Sequence, residues 1–343
     1  MKLDSSEKLN QLTLISLSLI VALFITSCSD TLSDTTDGRL RYWISTLSSD
    51  EFEGRAPGTP GGQLTKNFIS QSFQNFDLQP ITNDYFLDVP TSEITLKDSS
   101  YLTLSFRGDD RKMITGEEVV FWTKHARDYR KIRDSEVVFV GYGIVAPEYN
   151  WNDYEGIDVT GKTVLILVND PGFATGKLRL FNGRSMTYYG RWTYKFEEAA
   201  RQGAAAAIIV HEEEPAAYPW SVVENSWQGP QLDLQRDDLG AERVILESWI
   251  RDHVLDDVLK FTGFNYQALK EIALEKTFSP FPFRGLTLSS EIFNKVRYLQ
   301  SHNIGAIKHG RTKPNEYILF MAHWDHLGKV KAVKPGDDVI LNG

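Results

Sequence analysis

Only one cysteine, Cys28, occurs in the 343 residues, so no disulfide can form within the chain. Positive charge is also short. Lys and Arg number 37 against 46 Asp and Glu, a net charge of −9. That balance argues against a nucleic-acid partner, because binding to phosphates needs a basic surface that displaces counterions. The acidic excess is spread along the chain and reads as a solvated surface. Phosphate-binding and nucleophile loops are missing too. "GYG" at 141–143 is followed by neither a further glycine at the required spacing nor a Lys-Ser/Thr pair, so it is no phosphate cradle. No Gly-x-Ser-x-Gly elbow for a serine nucleophile occurs. There is no internal repeat.

What is present is the composition of a globular protein, 41% hydrophobic and 24% charged. The length suits two ordinary domains, since single cores rarely grow beyond about 250–300 residues. The one long apolar stretch, "QLTLISLSLIVALFITSCSD" at residues 11–30, follows Lys2 and Lys8. It is too short and too rich in Ser and Thr for a comfortable membrane span of about 20 apolar residues, and it suits the hydrophobic region of a secretory signal. Ile25-Thr26-Ser27-Cys28 resembles the bacterial lipobox, which implies lipidation of Cys28 as the new N-terminus of an envelope lipoprotein. An uncleaved anchor, or an ordinary signal with an incidental cysteine, fits the same residues. Residues 1–28 are therefore expected to be a signal peptide and the polar residues 29–38 a tether.

The folded part begins near Arg39. Pro57-Gly58-Thr59-Pro60-Gly61-Gly62 breaks regular structure. A helix then resumes, with Leu64, Phe68, Ile69, Phe73 and Phe76 near one face and Pro80 at its end. "ITLKDSSYLTLSF" alternates about a polar turn, as a hairpin would. "SEVVFVGYGI" (135–144), Val164–Val168 and Ala206–Val210 read as buried strands, and 193–202 as a helix closed by Gly203. This strand–helix–strand succession predicts an α/β domain. "ESWIRDHVLDDVLKFTG" and "NYQALKEIALEKTF" read as two further helices, Asn303–Ile307 and Tyr317–Ala322 as apolar strands of a sheet interior.

The last of these delivers "AHWDHLG". His323 falls at the carboxyl end of the expected strand, where ligand sites of open α/β sheets lie. Asp325, two residues on, is a natural partner for orienting a metal-bound imidazole. One histidine supplies at most a quarter of a tetrahedral zinc shell. On these residues alone, a strand-end histidine hydrogen-bonded in a polar corner is an equal reading. The remaining histidines (His125, His211, His253, His302 and His309) read as surface positions, and "PEYNWNDYEG" as packing inside the central domain.

"LSSDEFEGRAPGTPGG", an amphipathic helix, a central α/β segment and "NIGAI…EYILFMAHWDHLG" follow one another in the order found in bacterial zinc aminopeptidases with a protease-associated domain, and the chain resembles that family. The resemblance implies an α/β fold. In it, an incomplete zinc-exopeptidase-like sheet core (39–96 and 286–343) is interrupted by a protease-associated insertion (97–285). It implies that His323 is a zinc ligand, that Asp325 orients it in the catalytic site, and that two zinc ions and a peptide substrate belong to the complete enzyme. The family's metal-bridging Asp, its Glu-Glu pair and its later ligands have no counterparts here; Asp337 and Asp338 do not fill those places. The chain is therefore expected to be an N-terminal fragment, inactive by itself, of an exported enzyme held to a membrane by its lipid. The alternatives are a non-enzymatic surface lipoprotein that binds a partner through the protease-associated domain and, against the presence of that insertion, a single-zinc aminoacyl cyclase.

Overall fold

The computed structural model describes residues 36–275, 277–330, 332 and 334–343. The expected signal peptide and Cys28 lie outside the described residues. The chain forms two compact units, one of the chain up to Leu87 together with Asn303–Gly343, the other of Asp88–His302.

In the first unit, helix α1 (Thr36–Leu47) starts inside the expected tether, at Thr36. A 3₁₀ turn over Asp50–Arg55 follows, then helix α2 (Pro60–Asn75). The sequence reading placed Pro60, Gly61 and Gly62 outside any helix; the structure places them in the first turn of α2. Proline is tolerated there because its missing N–H has no partner in a first turn. Thr59 Oγ1 caps the helix, accepting from Gly62 N at 3.1 Å. The expected apolar face is buried only in part, at Phe68, Ile69 and Phe73, which are half-buried. Gly61, Gly62, Thr65 and Lys66 are buried, while Leu64 and Phe76 are 42% and 45% exposed. A Cβ on Gly61 or Gly62 would strike the carbonyl oxygen of Phe52 or Ala56. Close backbone contact at the first turn therefore outweighs the amphipathic period. Aromatic pairs Tyr42–Phe68, Trp43–Phe76 and Phe52–Phe68 link the helices and the turn at 5.3–6.4 Å.

The expected strand Tyr317–Ala322 is not formed. Its side chains stand in solvent, Ile318 at 86% and Phe320 at 90% exposure. A strand needs a neighbour to satisfy its N–H and C=O groups, and among the described residues none pairs with this one. The strands of this unit are short antiparallel pairs, Gln79–Pro80 with Ala306–Ile307 and Gly328–Lys329 with Ile340–Leu341.

The second unit is built on a mixed sheet. Its strands are β1 (Phe86–Leu96), β2 (Tyr101–Phe106), β3 (Asp109–Lys112), β4 (Val119–Trp122), β5 (Tyr129–Phe139), β6 (Thr163–Leu167), β7 (Ala206–His211), β8 (Pro230–Leu234), β9 (Leu246–Arg251) and β10 (Phe281–Ile304). They run in the order β8-β1-β10-β5-β6-β7-β9-β4, with β2 on β10 and β3 on β2. Strands β5, β6, β7 and β9 are parallel to one another. The expected hairpin of β1 with β2 does not occur, because β10 pairs with both. The true hairpin is β2–β3, turned at Arg107 and Gly108, both at positive φ, the backbone twist that suits a two-residue turn.

Helices cover both faces of the parallel part. Leu165, Leu167, Ile208, Val210 and Leu246 face α5 (Asp252–Leu259) and α6 (Tyr266–Ile272), which contribute Val254, Leu255, Leu259 and Leu269. Val164, Ile166, Ala207, Ile209 and Trp249 face α3 (Trp192–Arg201) and α4 (Trp220–Ser226), which contribute Phe196, Ala199, Trp220 and Val223. Burial on both sides explains the unbroken apolar runs of β6 and β7. The stretch read as one helix from Glu247 is instead β9 followed by α5. Leu246–Ile250 alternates between the two cores, and tertiary pairing with β7 overrides its helical pattern. "PEYNWNDYEG" packs within this unit, with Tyr149 stacked on Phe181 at 4.3 Å.

Candidate functional site

The two most specific pieces of sequence, "SDEFEGRAPGTPGG" and "AHWDHLG", meet in the first unit. Glu53 and Gly54 take left-handed conformations at φ 49° and 68°. This folds the Asp50–Arg55 turn tightly enough for a Cβ on Gly54 to collide with the carbonyl oxygens of Gly328 and Leu341. The main-chain N–H of His326 donates to Arg55 O at 3.2 Å. Lys329 Nζ donates to Glu53 Oε1 at 2.6 Å, and Asn342 Nδ2 to Asp50 Oδ1 at 2.9 Å. Arg55 donates to the carbonyl of Leu47. Burial draws its guanidinium below the usual arginine value, and the charge of Asp325 opposes that shift. Burial also lowers the imidazole of His326, helped by Arg55 and His323.

His323 is exposed, and its Nδ1 lies 2.7 Å from the main-chain oxygen of Asp325. A carbonyl only accepts, so Nδ1 carries the proton, and in the neutral ring the lone pair is then on Nε2, directed away from that bond. Asp325 thus fixes the ring through its backbone; its carboxylate Oδ1 is 3.7 Å from Nδ1. The residues do not by themselves fit a zinc centre. Among the described residues no group of three or more His, Cys, Asp or Glu is placed to hold a metal ion, and one imidazole nitrogen cannot complete a tetrahedral shell. Among the described residues, too, no helix is long and apolar enough to cross a membrane.

The second unit holds features that the sequence reading missed. His125 and His211, expected at the surface, are each 3% exposed. His125 Nε2 donates to Arg243 O at 2.9 Å and His211 Nε2 to Tyr218 O at 3.1 Å, and burial lowers both imidazoles. Lys195 and Asp153 are buried. Lys195 Nζ donates to Tyr142 O at 2.6 Å, while Asp153 accepts from Trp151 Nε1 at 2.8 Å and Ile144 N at 3.0 Å. Burial pushes the amine down and the carboxyl up, and each charge partly offsets the other's shift. Beyond the ends of β6 and β7 lies a cavity of about 290 Å³. Its floor is held by Asp170, which accepts from Gly172 N, Phe173 N, Thr187 N and Thr187 Oγ1 at 2.8–3.3 Å. "NDPG" after a buried strand was the visible signal, an Asp N-cap with proline at the first helical position.

No family model matches the chain, and no curated protein does. Among solved structures it is similar to an aminopeptidase from Aneurinibacillus sp. strain AM-1, with a TM-score of 0.37 at 20% identity over 79% of this chain and 47% of that one. It is also similar to BSAP, a zinc aminopeptidase from Bacillus subtilis, with a TM-score of 0.30 at 18% identity over 78% of this chain and 46% of that one. The chain spans about half the length of these structures.

Proposed function

We propose that this chain is the N-terminal part of an exported zinc aminopeptidase that removes residues from the N-termini of peptides, anchored to a membrane by a lipid on Cys28. In this reading, residues 97–285 form a protease-associated insertion. The observation that carries it is the junction of "DEFEGR" with the His323–His326 loop, where the Asp325 carbonyl holds the His323 ring through Nδ1 and leaves Nε2 directed away from that bond. Among the described residues this reading assigns one ligand, His323, so two zinc ions would depend on further donors, and the chain alone is expected to be inactive.

The test has three parts. The isolated chain is expected to release no product from amino-acid anilides and to bind less than one tight zinc; turnover by it would defeat the incomplete-site reading. The full gene product is expected to bind zinc through His323 Nε2, with metal content and activity both lost in His323→Ala. A full product whose metal content is unchanged by that substitution would end the assignment. Cys28→Ser is expected to move the protein from the membrane to the soluble fraction, and an unchanged distribution would remove the lipid anchor.

A second reading is favoured by the cavity in Asp88–His302: a surface lipoprotein that binds a partner through this unit without catalysis. A full gene product that holds no zinc would select it.

A further inference from the structure

The cavity of about 290 Å³ in the second unit is lined by two ion pairs, by a further carboxylate, Glu271, which accepts from Gln267 Nε2 at 2.9 Å, and by apolar groups. It lies at the carboxyl ends of the parallel strands β6 and β7, the edge at which open α/β sheets bind ligands. On one side, Lys270 Nζ donates to both oxygens of Glu212 at 2.8 and 3.0 Å, and Tyr266 Oη adds a third bond to Glu212 at 2.7 Å. On the other, Arg184 donates to Glu214 at 2.6 Å while its guanidinium lies 4.4 Å above the ring of Phe173. Leu167, Val168, Ala174 and Leu274 supply the apolar lining. Asp170 is fully buried and its oxygens are taken by four donors, so it offers no free acceptor to a ligand.

The charges decide what this space accepts. An anion would take Arg184 or Lys270 and strand its glutamate, and an uncompensated charge in a partly desolvated site is costly; a cation can meet Glu271 but leaves both cationic side chains unused. A zwitterion exchanges partners without stranding any. Its carboxylate takes Arg184 or Lys270, its ammonium takes Glu214 or Glu212, and no net charge is buried. The outer pair yields readily, because Arg184 and Glu214 are exposed at 60% and 72% and such surface pairs are weak. The inner pair is less exposed, at 30% and 27%, and fixed by Tyr266, so it offers a preset charge pattern. The volume is at the low end of small-molecule sites, which suits one residue or two.

We infer that this cavity binds a small zwitterion with an apolar side chain, a free amino acid or a dipeptide, at a site in Asp88–His302. The inference stands apart from the peptidase reading, since it concerns this unit alone and is read by binding and not by turnover.

The test is calorimetric titration of the full chain with L-phenylalanine, the dipeptide of two leucines, N-acetyl-L-phenylalanine and L-phenylalaninamide. The two zwitterions are expected to bind saturably and each blocked compound at least about tenfold more weakly, as loss of one charged contact requires. Tighter binding of the dipeptide would identify a peptide, and tighter binding of phenylalanine a free amino acid. Lys270→Met and Arg184→Met are each expected to weaken the zwitterion about tenfold while leaving the circular dichroism unchanged. Arg184, at the exposed rim, keeps the test open if Lys270→Met fails to fold. Equal affinity for blocked and free compounds, or no saturable heat from either zwitterion at millimolar concentration, would overturn the inference.

Discussion

Gly54 and Gly328 meet backbone to backbone: a methyl group on Gly54 would collide with the carbonyl oxygen of Gly328 and lie 2.6 Å from that of Leu341. This contact joins the Asp50–Arg55 turn to the segment that follows His323. It explains why the turn carries glycine at a φ of 68°, where both the backbone angle and the lack of a side chain are needed.

Gly54→Ala is therefore expected to destabilise the protein by roughly 3 kcal/mol, combining left-handed strain with overpacking. Gly108→Ala is the control. Its φ of 89° is just as strained, but nothing lies within 4 Å of the added methyl, so its cost should be the strain alone. Urea unfolding of both variants decides the matter. Equal losses would show that the two segments do not touch.

Lys195→Met should cost about 1–3 kcal/mol, because it leaves the buried Tyr142 carbonyl without its donor and removes the charge that partly offsets the burial of Asp153. Adding Asp153→Asn should recover part of that loss. A double-mutant cycle by chemical denaturation measures the coupling, and additive losses would mean that the two groups do not interact.

Stability should fall as the pH drops below about 6.5, for a reason set by His125 and His211. Burial lowers both imidazoles from 6.5 in the fold. The unfolded chain therefore takes up protons that the folded chain refuses. Their stabilisation is complete above the unfolded value and is lost as the pH falls toward the folded one. Each contributes at most about 1.4 kcal/mol per pH unit. His211→Gln is expected to flatten the slope of unfolding free energy between pH 6.5 and 5, and an unaltered slope would rule out its part.

The run Tyr317–Met321 exposes five large apolar side chains in succession, at 70–90% of their surface. Such a patch favours association. The pair Ile318→Glu and Phe320→Lys is expected to lower the apparent mass in concentration-dependent light scattering. If the parent chain shows no association at all, the patch does not drive self-association.

Much of the central unit was legible in the order of residues. Val164–Val168 and Ala206–Val210 announced buried strands through unbroken apolar runs, and Gly203 the end of a helix. The errors fell where partners distant in sequence decide. Leu246–Ile250 carries a pattern that also suits a helix, and only its pairing with Ala206–Val210 makes it a strand. The long strand Phe281–Ile304 went unread because its neighbours, Phe86–Leu96, Tyr101–Phe106 and Tyr129–Phe139, are spread over the whole unit. His211 resembled a solvated turn beside three glutamates, yet it packs against Trp220 and Trp249 at 5.5 and 6.0 Å. Burial of a short polar residue depends on what folds over it, which no local window contains.

By itself the order of residues determined the acidic balance, the single thiol at position 28, the α/β class and the His-x-Asp-His cluster, because these are properties of composition and local period. Tertiary structure alone decided three things. It chose the Asp325 carbonyl, and not the carboxylate, to hold the His323 ring. It left Tyr317–Met321 unpaired in solvent, and it gathered Arg184, Glu212, Glu214 and Lys270 around one cavity. Each outcome rests on which groups come within hydrogen-bonding reach across long sequence separations, and reach of that kind exists only once the chain has folded.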